Sequence, residues 1–363
     1  MANLKASPFS QELQTKIDYL KAKRTAIKLG SIHFDSPLLL APMSAICNRP
    51  FRLLMEDLGA GGTVSELISC HGINYGNHRT LDMLKLDPAE KNVGLQLFGE
   101  DAKAMAKAAA TAQEYNPKFI DINMGCPVRK VVTKGGGSAL MKDTSALAPF
   151  FREIKKAIEI PLTIKIRMGW DEDQVNADEI MRIALGEGIE FVGVHGRTRV
   201  QQYRGEANWN YLESIASLGI IPMIGNGDLH QTHQVVERMK YTRCQALMLG
   251  RGPLRNPFIF LESLIAENED ITFTPADYLE VINRYREYCE QAFDRERTIL
   301  VQLKKMIVWF CQGFPRTAKF RNEIFESKSL EEVIEKSQTY FSSIQNSSKH
   351  IDFGQSFMAG GHG

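Results

Sequence analysis

The sequence predicts a (β/α)8 TIM barrel followed by a smaller all-helical C-terminal domain. Eight apolar, β-branched runs follow one another at 37–43, 62–69, 93–99, 119–125, 162–168, 191–198, 223–229 and 246–252. Helix-like stretches such as 101–115, 144–159, 176–187 and 230–240 separate them, and after about residue 268 the pattern is helical only. Near-continuous apolar strands alternating with amphipathic helices mean buried parallel strands with right-handed crossovers. Eight repeats at this length select the closed barrel over an open doubly wound sheet. The open sheet would need a G-x-G-x-x-G turn after its first strand, and none follows here.

In chain order, residues 10–24 read as a charged amphipathic helix with Leu13, Ile17 and Leu20 on one side, within an N-terminal extension over 1–25. Segments 26–29 and 31–34 flank Gly30 like a short hairpin. The barrel is expected over 26–268. The helical domain, 269–344, shows Tyr278, Val281, Ile282 and Tyr285, then Leu300, Leu303, Ile307 and Phe310, at three-to-four spacing, punctuated by Pro275 and Pro315. From Gln345 to Gly363 the chain is polar and Gly-rich, and is expected to be a disordered tail.

Composition narrows the function classes. Hydrophobic residues make up 44% and charged residues 24% of the chain, which suits a protein with a substantial buried core. No run of about 18 apolar residues is present, so no membrane span is expected. The first twenty residues lack the apolar core of a signal peptide, so a cytoplasmic protein is expected. Six scattered cysteines without a C-x-x-C pair argue against a zinc knuckle, an iron–sulfur cluster or a disulfide scaffold, and no metal site is expected. A net charge of +1 means that a polyanionic partner must be met by a local patch.

In such a barrel, polar residues at the carboxyl ends of strands form the active face. The first strand ends in Ala41-Pro42-Met43, the third contains Gln96, and the fourth runs Asn123-Met124-Gly125-Cys126-Pro127. The fifth gives Lys165 and Arg167, the sixth His195 and Arg197, the seventh Asn226-Gly227-Asp228, and the eighth Gly250-Arg251-Gly252. Glycines after strands seven and eight, each leading into a helix, offer backbone N–H groups to a phosphate, with Arg251 beside them. A single such loop would read as a tight turn; two adjacent loops with an arginine favour a phosphate cradle.

Lys165 and Arg167 share one face of their strand. An inward lysine is costly unless paired, and an anionic ligand such as the N1/O2 edge of a flavin would pair it. An internal ion pair with Glu66 or Asp121 is the alternative. His195 reads either as a satisfied core histidine or as a ligand contact beside Gly193 and Gly196. Cys126, taken alone, could be a small buried hydrophobe. Its setting argues otherwise: Pro127 fixes the turn, Gly125 permits close approach, and Asn123 offers a donor and an acceptor two residues earlier. With an ordinary thiol pKa near ~8.5, it can serve as a general acid or as a nucleophile.

Taken together, the motifs Ala41-Pro42-Met43, Asn123-x-Gly125-Cys126-Pro127, Lys165-x-Arg167, His195-Gly196-Arg197-Thr198, Asn226-Gly227-Asp228 and Gly250-Arg251-Gly252 resemble the tRNA-dihydrouridine synthase family, in flavour its bacterial B-type branch. The match runs in order from about residue 30 to 325. The resemblance implies FMN as cofactor, NADPH as its reductant, hydride transfer to C6 of a uridine, and protonation of C5 by Cys126. It further implies that Ala41, Pro42, Met43, Gln96, Lys165, His195, Asn226, Gly227, Asp228, Gly250 and Arg251 line the FMN, and that Asn123, Arg167 and Arg197 meet the substrate. Asn208 stands where the family usually has an aspartate, and asparagine also caps helices. The extension before Lys28 is longer than the family pattern, and the resemblance assigns it no role.

A reacting uridine must be drawn out of its stack, which asks for an RNA-holding surface. From Arg297 to Asn322 there are six basic residues, Arg297, Lys304, Lys305, Arg316, Lys319 and Arg321, and no acidic one. Trp309, Phe310, Phe314 and Phe320 interleave with them, suiting phosphate contacts and base stacking. An ordinary helix pair with an apolar core would explain the aromatics but not the missing acids. The loop from Cys70 to Asp87 is a second candidate RNA contact. The resemblance makes tRNA the expected partner and a monomer the default state. Dihydrouridine synthesis on ribosomal RNA stays open, as does an FMN-barrel reductase of a small molecule.

Overall fold

The computed structural model describes residues 3–351. Its centre is a closed barrel of eight parallel strands: β3 (Leu38–Leu40), β4 (Thr63–Ser69), β5 (Val93–Phe98), β6 (Phe119–Met124), β7 (Leu162–Arg167), β8 (Val192–His195), β9 (Met223–Asn226) and β10 (Ala246–Leu249). The barrel closes where Leu247 of β10 pairs with Leu38 of β3. All eight expected strands are present, shorter than the apolar runs that announced them, because the polar strand ends run on into loops. β5, β6 and β7 are buried along nearly their whole length, as strands covered on both sides must be.

A two-stranded hairpin precedes the barrel, β1 (Ile27–Leu29) and β2 (Ile32–Phe34), turning at Gly30. Its Leu29, Ile32 and Phe34 pack with Phe119, Phe191, Ile224 and Ala246 beneath the amino ends of the strands. Phe34, Phe119 and Phe191 meet edge to face, with ring centroids 5.4 to 6.1 Å apart, and stopper the barrel floor. With the floor closed, the carboxyl ends of the strands are left to form the open face.

Four helices follow the barrel: Pro275–Ala292, Glu296–Phe310, Thr317–Glu326 and Leu330–Ser342. The first begins with a capping box in which Thr274 and Asp277 satisfy each other's backbone N–H groups, with Pro275 in the first turn. It rests on helix Arg49–Asp57, the helix after β3, where Asp57 receives Arg284 at 3.0 Å and the Tyr288 hydroxyl at 2.7 Å. Phe310, Phe314 and Phe320 are buried, and Phe320 stacks on Tyr340 at 3.8 Å. These three aromatics therefore form the core of the domain, and the expectation that they stack bases is corrected. Trp309 is half-buried.

The N-terminal extension has a structural role that its sequence did not disclose. Helix Gln11–Ala22 buries Leu13, Ile17 and Leu20, and its flank ties both parts of the fold together. Leu4 N–H donates to Asp87 of the barrel, while Ser7, Ser10 and Lys16 reach Glu287, Glu280 and Asp277 of the helical domain at 2.6 to 3.1 Å. The far end differs from expectation as well. Residues 345–351 lie against the fold: His350 N–H donates to Gly313 O at 2.8 Å and Lys349 Nζ donates to Phe310 O at 2.7 Å. The rest of the expected tail lies outside the described residues.

Candidate active site

The strand ends enclose a cleft of about 1200 Å³, open mouth included, lined from all eight barrel strands or the loops that follow them. Ala41, Pro42, Met43, Gln96, Asn123, Cys126, Lys165, Arg167, His195, Asn226, Gly227, Asp228, Gly250 and Arg251 all border it. Residues spread over two hundred positions of sequence thus converge on one site, because each follows a strand of the same barrel.

Its floor is a polar chain. Asn123 Nδ2 donates to Gln96 Oε1 at 2.9 Å, Gln96 Nε2 donates to Asp121 Oδ2 at 2.7 Å, and Thr163 donates to the other Asp121 oxygen at 2.7 Å. Burial pushes the Asp121 carboxyl up to about 6, against the pull of Gln96 and Thr163. Lys165 Nζ donates to Asn226 Oδ1 at 2.9 Å, and Asn226 Nδ2 donates to Met248 O at 2.7 Å. Burial lowers the Lys165 ammonium to about 7, with Asp121 opposing through space. Glu66, the other partner weighed from sequence, turns away and accepts the Ala45 N–H at 2.6 Å. Lys165 is therefore held by a neutral amide and keeps donor capacity for an anion in the cleft.

His195 is not a satisfied core histidine. Its Nδ1 is buried and meets no partner among the described residues. Burial, then the cations Arg167, Lys165 and Arg197, hold its pKa far below the ordinary imidazole range, so the ring is neutral. His195 lines the cleft, and a neutral ring there with an orphaned nitrogen is a place for a polar ligand atom.

Asn123 also fixes the cysteine loop. Its Oδ1 accepts the Cys126 N–H at 2.9 Å and the Gly125 N–H at 3.3 Å, so what it can still offer a substrate is an N–H, not the donor–acceptor pair expected from sequence. Cys126 O accepts from Ser138, from the backbone N–H at 3.1 Å and from the hydroxyl at 2.9 Å. Gly137 closes that loop at φ +58, where an added Cβ would sit 2.9 Å from Cys126 O, so only glycine fits without strain. Cys126 is half-buried, whereas the other five thiols are buried. Burial raises its pKa, with Arg167 pulling the other way, so the group is a thiol at neutral pH.

The cations divide. Arg167 borders the cleft and braces it, donating to Gly125 O, Thr198 O and Gln202 O at 2.8 to 2.9 Å. Arg251 lies over the Tyr203 ring, 5.2 Å from its centroid, and 3.7 Å from Asp228. Burial would raise Asp228, but hydrogen bonds from His230 and Arg197 hold it well below the carboxylate range. Arg197 does not line the cleft. It is 2% exposed and spends its guanidinium on both Asp228 oxygens, at 2.9 and 2.8 Å, and on Arg204 O and Gly205 O. A direct substrate contact by Arg197 is therefore corrected to a brace for the loop after β8. That loop ends at Asn208, whose side chain caps helix Trp209–Ser217 by accepting the Tyr211 N–H at 2.9 Å.

Of the expected phosphate loops, the one after β10 leads straight into the short helix Gly252–Arg255. The one after β9 turns through Gly227 at φ +138 and Asp228 at φ +51, and its helix begins only at Thr232. Sequence reasoning missed Ser44, Tyr203, His230 and Met248 as cleft residues. Tyr203 sits in the loop after β8, and no local pattern announces its fold-back beneath Arg251. Met248 was legible, being two residues before Gly250 on the same face of its strand.

The six basic residues of the helical domain serve different ends. Lys304 donates to Phe325 O at 3.0 Å and to Ser327 O, and Lys305 donates to Ala45 O at 2.8 Å. Arg316, in a left-handed conformation at φ +60, is exposed and donates to Ser343 O at 3.0 Å. Arg297, Lys319 and Arg321 face solvent. In the second candidate contact, Tyr75 is 86% exposed between two short helices.

A family model described as Dihydrouridine synthase (Dus) matches residues 39–346. A probable tRNA-dihydrouridine synthase of Rickettsia prowazekii (strain Madrid E) is 32% identical over 329 residues, covering 89% of this chain and 100% of that protein. The tRNA-dihydrouridine synthase B of Pasteurella multocida (strain Pm70) is 34% identical over 299 residues, covering 81% and 90%. Among solved structures, 6-hydroxypseudooxynicotine amine oxidase from Pseudomonas geniculata N1 aligns with a TM-score of 0.51 at 11% identity, covering 74% of this chain and 53% of that one. Histamine dehydrogenase from Rhizobium sp. 4-9 aligns with a TM-score of 0.52 at 10% identity, covering 75% and 51%. The chain spans about half the length of these two, and the likeness is one of fold.

Proposed function

The chain belongs to the dihydrouridine synthase family, and on that premise we propose that it reduces specific uridines of tRNA to 5,6-dihydrouridine, with FMN in the cleft and NADPH as reductant. The observation that carries the reading is a half-buried thiol in the lining of a cleft that also holds an under-used lysine and a histidine with an orphaned ring nitrogen. Those two groups fit a flavin ring: Lys165 offers a cation to its electron-rich edge, and His195 offers a neutral ring nitrogen. Gly227, Gly250 and Arg251 fit its phosphate, and Arg197 neutralises the neighbouring Asp228, so the carboxylate does not repel it. Ala41, Pro42 and Met43 supply the apolar side, and Gln96, oriented by Asp121, supplies an amide.

When bound and reduced, the flavin would supply a hydride for uracil C6; the rest is done by the chain. Charge that builds at C5 is quenched by the Cys126 Sγ proton, and the thiolate left behind lies within the field of Arg167 before solvent restores its proton. Asn123 keeps Cys126 at the rim through the loop backbone and turns its free N–H toward a uracil carbonyl. Arg167 braces both sides of the uracil's place by tying Gly125 to the loop after β8. The target uridine leaves its stack to enter, and exposed Arg297, Arg316, Lys319 and Arg321 meet the phosphates of the surrounding tRNA. The cytoplasm is the compartment where this substrate and reduced thiols coincide.

The test uses the FMN-loaded protein with NADPH and an unmodified tRNA transcript. Cys126→Ala should leave flavin bleaching by NADPH at the parental rate while dihydrouridine formation drops by about 10²–10⁴-fold. Product at the parental rate from Cys126→Ala would remove the thiol from its role.

A further inference from the structure

We propose that Lys305 is a positioning residue that couples the helical domain to the loop over the cleft, instead of a contact for RNA phosphate. The inference rests on the proposed activity and concerns how RNA held on one domain is registered at the other.

The loop after β3 supplies Met43, Ser44 and Ile46 to the cleft. Its centre, Ala45, is left-handed at φ +59, a conformation that an L-residue keeps only where its surroundings hold it. Ala45 is held on both sides. Its N–H donates to Glu66 Oε2 at 2.6 Å, and its carbonyl accepts from Lys305 Nζ at 2.8 Å. Glu66 belongs to β4 at the point where pairing with β5 shifts between Val64 and Leu67, and such an irregularity re-aims a side chain off the ladder. Lys305 belongs to helix Glu296–Phe310, and its ammonium lies 5.4 Å from the Trp309 ring centroid. Burial is the main influence on both ionisable groups; Glu66 then favours the charged Lys305, while the charged Glu66 is favoured by the Ala45 N–H, by Arg52 and by Lys305, in that order. A carboxylate from the barrel and an ammonium from the helical domain thus grip the two peptide groups that flank one left-handed residue.

The bond to Ala45 O and the attraction of Glu66 fix this half-buried ammonium at the cleft loop, whatever its other two N–H groups meet. The helix that carries it also begins the acid-free stretch, with Arg297 exposed in its first turn. A shift of that helix when RNA docks is therefore transmitted through Lys305 and Ala45 to Met43 and Ser44 at the cleft. Releasing the ammonium should loosen the loop and leave RNA binding in place.

The experiment measures the FMN-loaded full chain in three ways: affinity for an unmodified tRNA transcript by fluorescence anisotropy, the change in flavin fluorescence when RNA is added, and single-turnover dihydrouridine formation at saturating RNA. Lys305→Met should keep affinity within about twofold, lose most of the RNA-induced flavin signal, and slow the single turnover by about tenfold. Lys305→Arg, which retains a cation at that place, should recover most of the rate. Glu66→Gln, which retains an acceptor without the charge, should slow the step in the same direction and stands in if Lys305→Met does not fold. A single-turnover rate within about twofold of the parent for Lys305→Met, or for Glu66→Gln where it stands in, overturns the coupling whatever happens to affinity. Failure of the parent to make dihydrouridine would instead count against the proposed function.

Discussion

The barrel mouth and the helical domain both carry clusters of basic residues, and the two clusters are built differently. At the mouth, Lys165, Arg167 and Arg197 are 8%, 3% and 2% exposed and are tied to named acceptors. In the helical domain, Arg297, Lys319 and Arg321 stand in water, while Lys304 and Lys305 are drawn inward to backbone carbonyls. A buried cation has to be compensated, so its place in a strand already says that it has a partner. A cation on a helix surface carries no such obligation, and its sequence context leaves open whether it meets RNA, a carbonyl or solvent.

The largest effect expected from this contrast is at Lys165. Lys165→Met should weaken FMN binding to the apoprotein by about 10–100-fold, the worth of a charge-assisted hydrogen bond. The pH dependence has a defined sign. With its pKa lowered to about 7, the side chain is an ammonium below that value and a neutral amine above it. Between about pH 7 and 9 the parent should therefore bind FMN more weakly as pH rises, and Lys165→Met should be flat over the same range, both read by flavin fluorescence titration. A variant that keeps the parental slope would show that another group sets it.

A smaller effect is expected on the solvent-facing side. Arg316→Glu should lower tRNA affinity by about 3–10-fold and reduce the salt dependence of binding by about one ion, with flavin content unchanged. Filter binding across a salt series measures both. Unchanged affinity and slope would remove Arg316 from the RNA surface and turn its bond to Ser343 into its whole role.

The same contrast explains what the sequence disclosed. Strand period, barrel count and the polar strand ends were legible because burial on both faces allows few residue types, and each exception, such as Lys165 or His195, stands out. Cys126 was legible through Gly125 and Pro127. Arg197 was misplaced because His195, two residues earlier, lines the cleft while the arginine side chain turns to Asp228, a distinction set after β8 has ended. Phe310, Phe314 and Phe320 were misread as stacking residues because core and base-stacking aromatics share a spacing. The N-terminal helix and its apolar side, Leu13, Ile17 and Leu20, were legible, but where that segment and residues 345–351 dock was not: their partners, such as Glu287 for Ser7 and Phe310 O for Lys349, lie far away in sequence.

The central claim is that the cleft and the helical domain act together on uridine within RNA. The most direct measurement gives the FMN-loaded protein NADPH and, in parallel, total RNA from cells lacking it or free uridine monophosphate, and quantifies dihydrouridine by mass spectrometry of the digested products. The account predicts dihydrouridine at discrete positions of the tRNA fraction and turnover of the free nucleotide lower by at least about 100-fold. Equal turnover of the free nucleotide, or none on RNA, would contradict it.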